Sequence, residues 1–129
     1  MADIIIPNGI TFESTQTVTA NDTANKYGSG LVEVFATPAM VALMENACLN
    51  AVLPYLPKGF STVGVDISVS HVKATPMDEV VKCMATLIKV DGRKLDFEVV
   101  ASDEEDLIGK GTHSRYIINI EKFMEKLKK

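Results

Sequence analysis

From Val34 to Pro57 the chain runs twenty-four residues with a single charged side chain, Glu45, set in Met40-Val41-Ala42-Leu43-Met44-Glu45-Asn46-Ala47-Cys48-Leu49. A segment this apolar must be buried by whatever surrounds it, and a lone carboxylate inside it is costly unless hydrogen bonds or chemistry account for it. Pro38 and Pro54 confine the helix to about sixteen residues, short of the roughly twenty that a membrane span requires. The run is therefore expected to be a buried helix of a soluble domain, with Glu45 as the first candidate for function.

The rest of the chain is consistent with one such domain. Its 129 residues, 47% hydrophobic and 23% charged, suit a single unit over 1–129 with a sizeable core and leave no room for a second. A formal net charge of −4 argues against a broad nucleic-acid footprint, yet a local basic patch could still hold the phosphates of a small ligand. Cys48 and Cys83 sit in apolar segments without paired spacing, as core thiols in a reducing compartment do. Met1 to Pro7 carries an early acid, Asp3, and an apolar run too short for a signal peptide, so a cytoplasmic protein is expected.

Along the chain the pattern predicts one strand, the helix, and then four strands. Phe12 to Thr19 alternates loosely as a strand, and Asn21 to Gly30 is a polar connection. Thr37-Pro38 signals a helix start, with Thr37 as the cap, and the helix should end near Leu53. Val63 to Val72 alternates, placing Val65, Ile67, Val69 and His71 on one face. Val80 to Val90 and Lys94 to Ser102 form a hairpin about Asp91-Gly92, and the acidic run Asp103 to Asp106 is the next turn. Leu107 to Ile120 is the last strand, with Gly109 and Gly111 as bulge positions, and Glu121 to Lys129 a short helix whose charges read as a solvated face. A single antiparallel sheet buries so apolar a helix by wrapping around it, which is the α+β hotdog arrangement. The exposed face and edges of so small a sheet are expected to associate, a symmetric dimer being the simplest solution.

Several residues taken together carry a likeness. Thr37-Pro38, Glu45 eight residues on, Gly64 in Thr62-Val63-Gly64-Val65, His71 in Ser70-His71-Val72-Lys73-Ala74-Thr75-Pro76, and His113-x-Arg115 resemble the fluoroacetyl-CoA-thioesterase-like branch of the hotdog thioesterases over nearly the whole chain. Val65 departs from the small polar residue often found there. The resemblance implies hydrolysis of acyl-CoA thioesters by a Thr, Glu, His constellation, here Thr37, Glu45 and His71, in a pocket between protomers.

The residues support the same chemistry by themselves. Thr37 and Glu45 are roughly 12 Å apart along a helix axis, too far to touch, while an imidazole bonded through both nitrogens spans roughly 8 Å. His71 between them would form a carboxylate-oriented base acting on a hydroxyl or on water. Helix N–H groups at Thr37 and a close backbone approach at Gly64 would stabilise the oxyanion. Simpler roles stand beside these: Thr37 as a cap only, Glu45 bonded to a backbone amide or to Asn46 or Asn50, His71 as a satisfied core histidine, Gly64 as a strand glycine or bulge. Arg115 either forks onto a CoA phosphate or pairs with a neighbouring acid.

The reading is thus a cytoplasmic hydrolase, an acyl-CoA thioesterase acting on a small or medium acyl group as a homodimer or higher oligomer. Its catalytic residues are Thr37, Glu45 and His71, with Gly64 and Arg115 at the substrate. No metal, redox cofactor, nucleic acid or membrane is expected, because two histidines forty-two residues apart form no ligand pair; coenzyme A enters only as part of the substrate. A non-catalytic hotdog module binding an acyl-thioester is the alternative, and a hydratase fits less well without an Asp-x-x-x-x-His signature. Met40, Met44, Tyr27, Leu31, Phe35 and Phe60 are the candidate pocket walls.

Overall fold

The computed structural model describes residues 4–128; Met1 to Asp3, including the early acid, and Lys129, the end of the expected last helix, lie outside them. The long apolar run becomes helix α2, Thr37–Val52, followed by a short 3-10 turn at Leu53–Tyr55 where Pro54 breaks the pattern. Ahead of it come strand β1, Thr11–Thr17, and a one-turn helix α1, Ala24–Tyr27, within the polar connection. After it come β2, Phe60–His71, β3, Val80–Asp91, β4, Lys94–Ser102, β5, Leu107–Asn119, and a terminal helix α3, Ile120–Lys126. No helix among the described residues is long and apolar enough to cross a membrane.

The five strands form one antiparallel sheet in the order β1-β3-β4-β5-β2, with α2 packed on one face. The expected α+β hotdog architecture is therefore present. Helix residues Ala39, Met40, Leu43, Met44, Ala47, Cys48, Ala51 and Val52 are buried, and they meet Val81, Cys83, Ala85 and Leu87 of β3 and Leu95, Phe97, Val99 and Ala101 of β4. Fully burying a methionine such as Met40 or Met44 stabilises the fold by about 1.5–3 kcal/mol each. The sheet does not wrap the helix all round: Pro38, Ala42 and Asn46 stay exposed. The far face of the sheet carries Ser68, Glu98, Lys110 and Thr112 beside Met84 and Val100, all exposed, so it mixes polar and apolar side chains. The unpaired backbone belongs to the edge strands, β1 and β2.

Local departures from the expected pattern have physical causes. The β2 register slips between Gly64 and Asp66, so Val65 is an extra, 56% exposed residue and does not share a face with His71. Inserting one residue reverses the alternation, and Gly64 now shares the inner face with Ile67, Val69 and His71. On β5 the irregularity falls at Ile108 rather than at the two glycines. Gly109 and Gly111 are close-approach positions instead: a Cβ on Gly109 would come within 2.6 Å of the Met40 sulfur, and one on Gly111 would run into the β2 backbone at Ser68. The β3–β4 hairpin closes on Gly92 with φ 61°, the left-handed value a two-residue turn needs at its first position.

Candidate active site

Thr37 is the first residue of α2, not its cap; Ala36 takes the cap position and no side chain caps the helix. The hydroxyl is thereby free to turn elsewhere, and it meets His71 Nδ1 at 2.7 Å. His71 ends β2, half-buried, with its ring edge-on to the buried Phe35 ring at 6.4 Å between centroids. Burial lowers the imidazole from its ordinary 6.5, the Lys73 backbone offsetting part of the effect, so His71 is the neutral base at neutral pH. Its other nitrogen, Nε2, is buried and has no hydrogen-bond partner. These two residues border a cleft of about 360 Å³, with Phe35 and Ala36 on one wall and Val72, Lys73 and Ala74 on its rim. Among the expected pocket walls only Phe35 lines it. Met40 and Met44 are fully buried in the core, Leu31 is 96% exposed, and Phe60 lies at the opposite end of β2.

The expected bridge from Thr37 through His71 to Glu45 is not formed within one chain. Glu45 lies beside Gly64, where a Cβ would come within 2.9 Å of Oε2. Six strand steps separate Gly64 from His71 once the bulge is allowed for, on the order of 20 Å, whereas eight helical residues cover only about 12 Å. The helix and the strand fall out of step, and His71 stays at the Thr37 end. Neither Asn46 nor Asn50 holds Glu45: Asn46 accepts from the Ser14 hydroxyl, and Asn50 donates to the Asn46 carbonyl.

Around Glu45 a second polar cluster is closed on itself. Arg115, 6% exposed, donates from Nε to the Thr62 hydroxyl at 2.6 Å and from Nη2 to the Thr62 carbonyl at 2.9 Å. Nη1 donates to His113 Nε2 at 3.1 Å and stands 3.9 Å from Glu45 Oε2. His113 Nδ1 lies 2.7 Å from the Asp66 carbonyl, which can only accept, so the proton is on Nδ1 and Nε2 takes the bond from Arg115. Burial lowers His113, the hydrogen bond to the Asp66 carbonyl opposes this in part, and the adjacent Arg115 guanidinium adds to the lowering. Of the two roles open to Arg115, the geometry is that of a pair with a neighbouring acid; its donors face inward. Gly64 leaves the space in which Glu45, His113 and Arg115 meet.

Sequence reasoning missed the strap at the rim of the cleft. Lys73, two residues after His71, donates to Asp103 at 2.8 Å and lies 3.1 Å from Asp106. Burial alone would raise the Asp103 carboxyl, but hydrogen bonds from Lys73, the Asp106 and Glu105 backbone and the Thr75 hydroxyl outweigh it and hold the group well below the usual carboxylate range. The signal was an aspartate opening an acidic turn, a residue that bonds the N–H groups two and three positions on. The free thiols of Cys48 and Cys83 are buried and pushed up to about 12 and about 11 by desolvation above all, as inert core groups are. No group of three or more metal-ligating side chains converges among the described residues.

Comparison with known proteins adds to this geometry. Residues 18–121 match the family model described as fluoroacetyl-CoA-specific thioesterase. A fluoroacetyl-CoA thioesterase from Streptantibioticus cattleyicolor is 48% identical over 96 residues, covering 74% of this chain and 69% of the relative. A threonine-to-serine variant of the fluoroacetyl-CoA enzyme, solved with acetyl-CoA, is 39% identical with a TM-score of 0.90, covering 95% of this chain and 96% of that one. A thioesterase superfamily member from Thermus thermophilus is 27% identical with a TM-score of 0.86 over 98% and 92% of the two chains.

Proposed function

This chain belongs to the fluoroacetyl-CoA-specific thioesterase family and is a thioester hydrolase acting on acyl-CoA, and from that premise we propose that its working site is assembled by two copies of the chain. The observation that carries the proposal is the unpartnered, buried Nε2 of His71 beside a hydroxyl-bonded Nδ1. A buried nitrogen of this kind calls for a partner, and none of the described residues forms a hydrogen bond to it. The Glu45 side chain is 41% exposed, and among the described residues Arg115 is its one ion-pair partner, at 3.9 Å. Pairing two β2 edges antiparallel about a two-fold axis sets the Gly64 region of one copy against the His71 region of the other. Glu45 of the second copy then supplies the carboxylate for Nε2.

In this arrangement His71 Nε2–H is held by the carboxylate, and Nδ1 accepts the proton of the Thr37 hydroxyl or of a water on it. Attack on the thioester carbonyl develops an oxyanion, for which the uncapped N–H groups of the first turn of α2 are the donors at hand. The tetrahedral species collapses with loss of the coenzyme A thiolate, which takes up the proton held by His71; where Thr37 was the nucleophile, a water activated by the same imidazole then hydrolyses the acyl-threonine ester to the free acid and restores the hydroxyl. Proton transfer and oxyanion binding call for no metal or redox cofactor. The cleft is modest, about 360 Å³, and the buried Phe35 lines it, which suits a small or medium acyl group. A coenzyme A substrate and two buried free thiols accord with a cytoplasmic setting.

Complementation tests the proposal. His71→Ala and Glu45→Gln are each expected to be nearly inactive in thiol release from a panel of acyl-CoAs. Mixed under exchange conditions, they form a heterodimer in which one site keeps both groups, and activity returns. If Glu45 served the histidine of its own chain, no heterodimer site would hold both, and the mixture would stay inactive.

A further inference from the structure

At the far end of β2 from the cleft, a groove of about 380 Å³ opens between the end of β5, the β3–β4 turn and α3. Arg93, Lys122 and Lys126 line it together with Tyr116 and Phe123, and no acidic side chain does. In a chain of net charge −4 this is a local reversal of sign. Helical spacing produces it: Lys122 and Lys126, four apart, share the face of Phe123, while Glu121 and Glu125 leave from another. The Asn119 side chain accepts from the Lys122 N–H and fixes where that helix starts. Arg93 lies over the Phe60 ring, 5.9 Å from its centroid, and Tyr116 is 46% exposed.

We propose that this groove binds the 3′-phospho-ADP end of the coenzyme A whose thioester is cleaved in the cleft of the other copy. The inference rests on the two-copy thioesterase reading above. The opposite ends of one β2, Phe60 and His71, are ten strand steps apart once the bulge is allowed for, about 33 Å, farther than an extended coenzyme A reaches from its own cleft. Antiparallel pairing of two β2 edges instead carries the Phe60 end of one copy toward the Val72–Ala74 rim of the other's cleft. Lys73, the cation on that rim, is already tied to Asp103 and Asp106. The diphosphate and the 3′-phosphate therefore find their countercharge across the interface, where neither Lys122 nor Lys126 is held in an ion pair among the described residues. Tyr116 offers a ring face to the purine.

The test compares one acyl group carried on coenzyme A and on pantetheine, which lacks the nucleotide. In the double variant Lys122→Glu, Lys126→Glu, the ratio of kcat/KM for acyl-CoA to that for acyl-pantetheine is expected to fall about tenfold or more, as loss of charge-assisted phosphate contacts predicts. Lys122→Gln, Lys126→Gln should fall in between. An unchanged ratio in a variant that still hydrolyses both thioesters overturns the groove assignment and leaves the thioesterase reading standing. Wild-type protein that hydrolyses neither would overturn the thioesterase reading, and the groove assignment with it.

Discussion

Two histidines face α2 from the same side of the sheet, and their surroundings are opposite. His71 sits at the open end, with one nitrogen on an exposed threonine and the other buried and unbonded. His113, 2% exposed, has both nitrogens engaged, one donating to the Asp66 carbonyl and one accepting from Arg115. Burial lowers both from the ordinary value, so charge state does not separate them. Completeness does. A ring with both nitrogens satisfied inside its own chain is rigid and has no proton to move, whereas a ring with one nitrogen waiting and a hydroxyl on the other is poised to act.

Replacing each histidine is the strongest way to break the comparison. His71→Ala should lower kcat/KM by about 10²–10⁴-fold with little change in melting temperature, since it removes a general base and few packed contacts. His113→Ala should do the reverse, costing about 2–4 kcal/mol of stability because the Asp66 carbonyl and the Arg115 guanidinium lose a buried partner. Kinetics and melting curves on the same preparations decide it. A folded His71→Ala protein with wild-type turnover would remove the base from the mechanism.

What the sequence made legible follows from which signals are local. The helix start at Thr37-Pro38, the alternation of β4 and the turn signalled by Asp91-Gly92 are short-range, and each came out within a residue of where its pattern put it, with Ala36 rather than Thr37 as the cap and Gly92-Arg93 as the turn. The β2 bulge was not legible, because Val65 is as good a strand residue as any and only its pairing with β5 reveals it as extra. That one residue decides whether Gly64 faces α2, and so whether Glu45 has a place to lie. Thr37 with His71 could be read from residue types and order; the separation of Glu45 from them could not, because it depends on a strand advancing faster per residue than a helix. The Lys73–Asp103 strap joins residues thirty apart and leaves no periodic trace.

A smaller change sharpens the contrast from the closed end. Gly64→Ala places a Cβ 2.9 Å from Glu45 Oε2 and 3.1 Å from His113 Cε1. The carboxylate is the free end of a flexible side chain and can move aside, so the stability cost should stay below about 1–2 kcal/mol. Activity should still fall by about 10–100-fold if Glu45 must reach His71 of the second copy, because a displacement of this size spoils a hydrogen-bonded alignment. Thiol-release rates beside denaturant midpoints give the two numbers, and a variant losing stability but not rate would confine Gly64 to packing.

The smallest effect expected is in the acid dependence of stability, where the two histidines should act alike despite their different roles. Each has a folded-state pKa below its ordinary 6.5, so the unfolded chain binds the proton first. Their contribution is complete above 6.5 and is lost as pH falls from there through the lowered folded-state values, until both states are protonated. Asp103 acts in a separate window: with its folded-state pKa depressed, its contribution is complete above the ordinary 3.8 and is lost only below that. Melting curves between pH 7.5 and pH 5 should therefore show a decline that Asp103→Asn leaves in place and that His113→Gln and His71→Gln each reduce. The reduction should be smaller for His71 wherever Glu45 of a second copy neighbours the ring, because an adjacent carboxylate offsets the desolvation that lowers it. Equal reductions in the associated and the diluted protein would mean that no such carboxylate arrives, and the contrast between a complete and an incomplete histidine would lose its explanation.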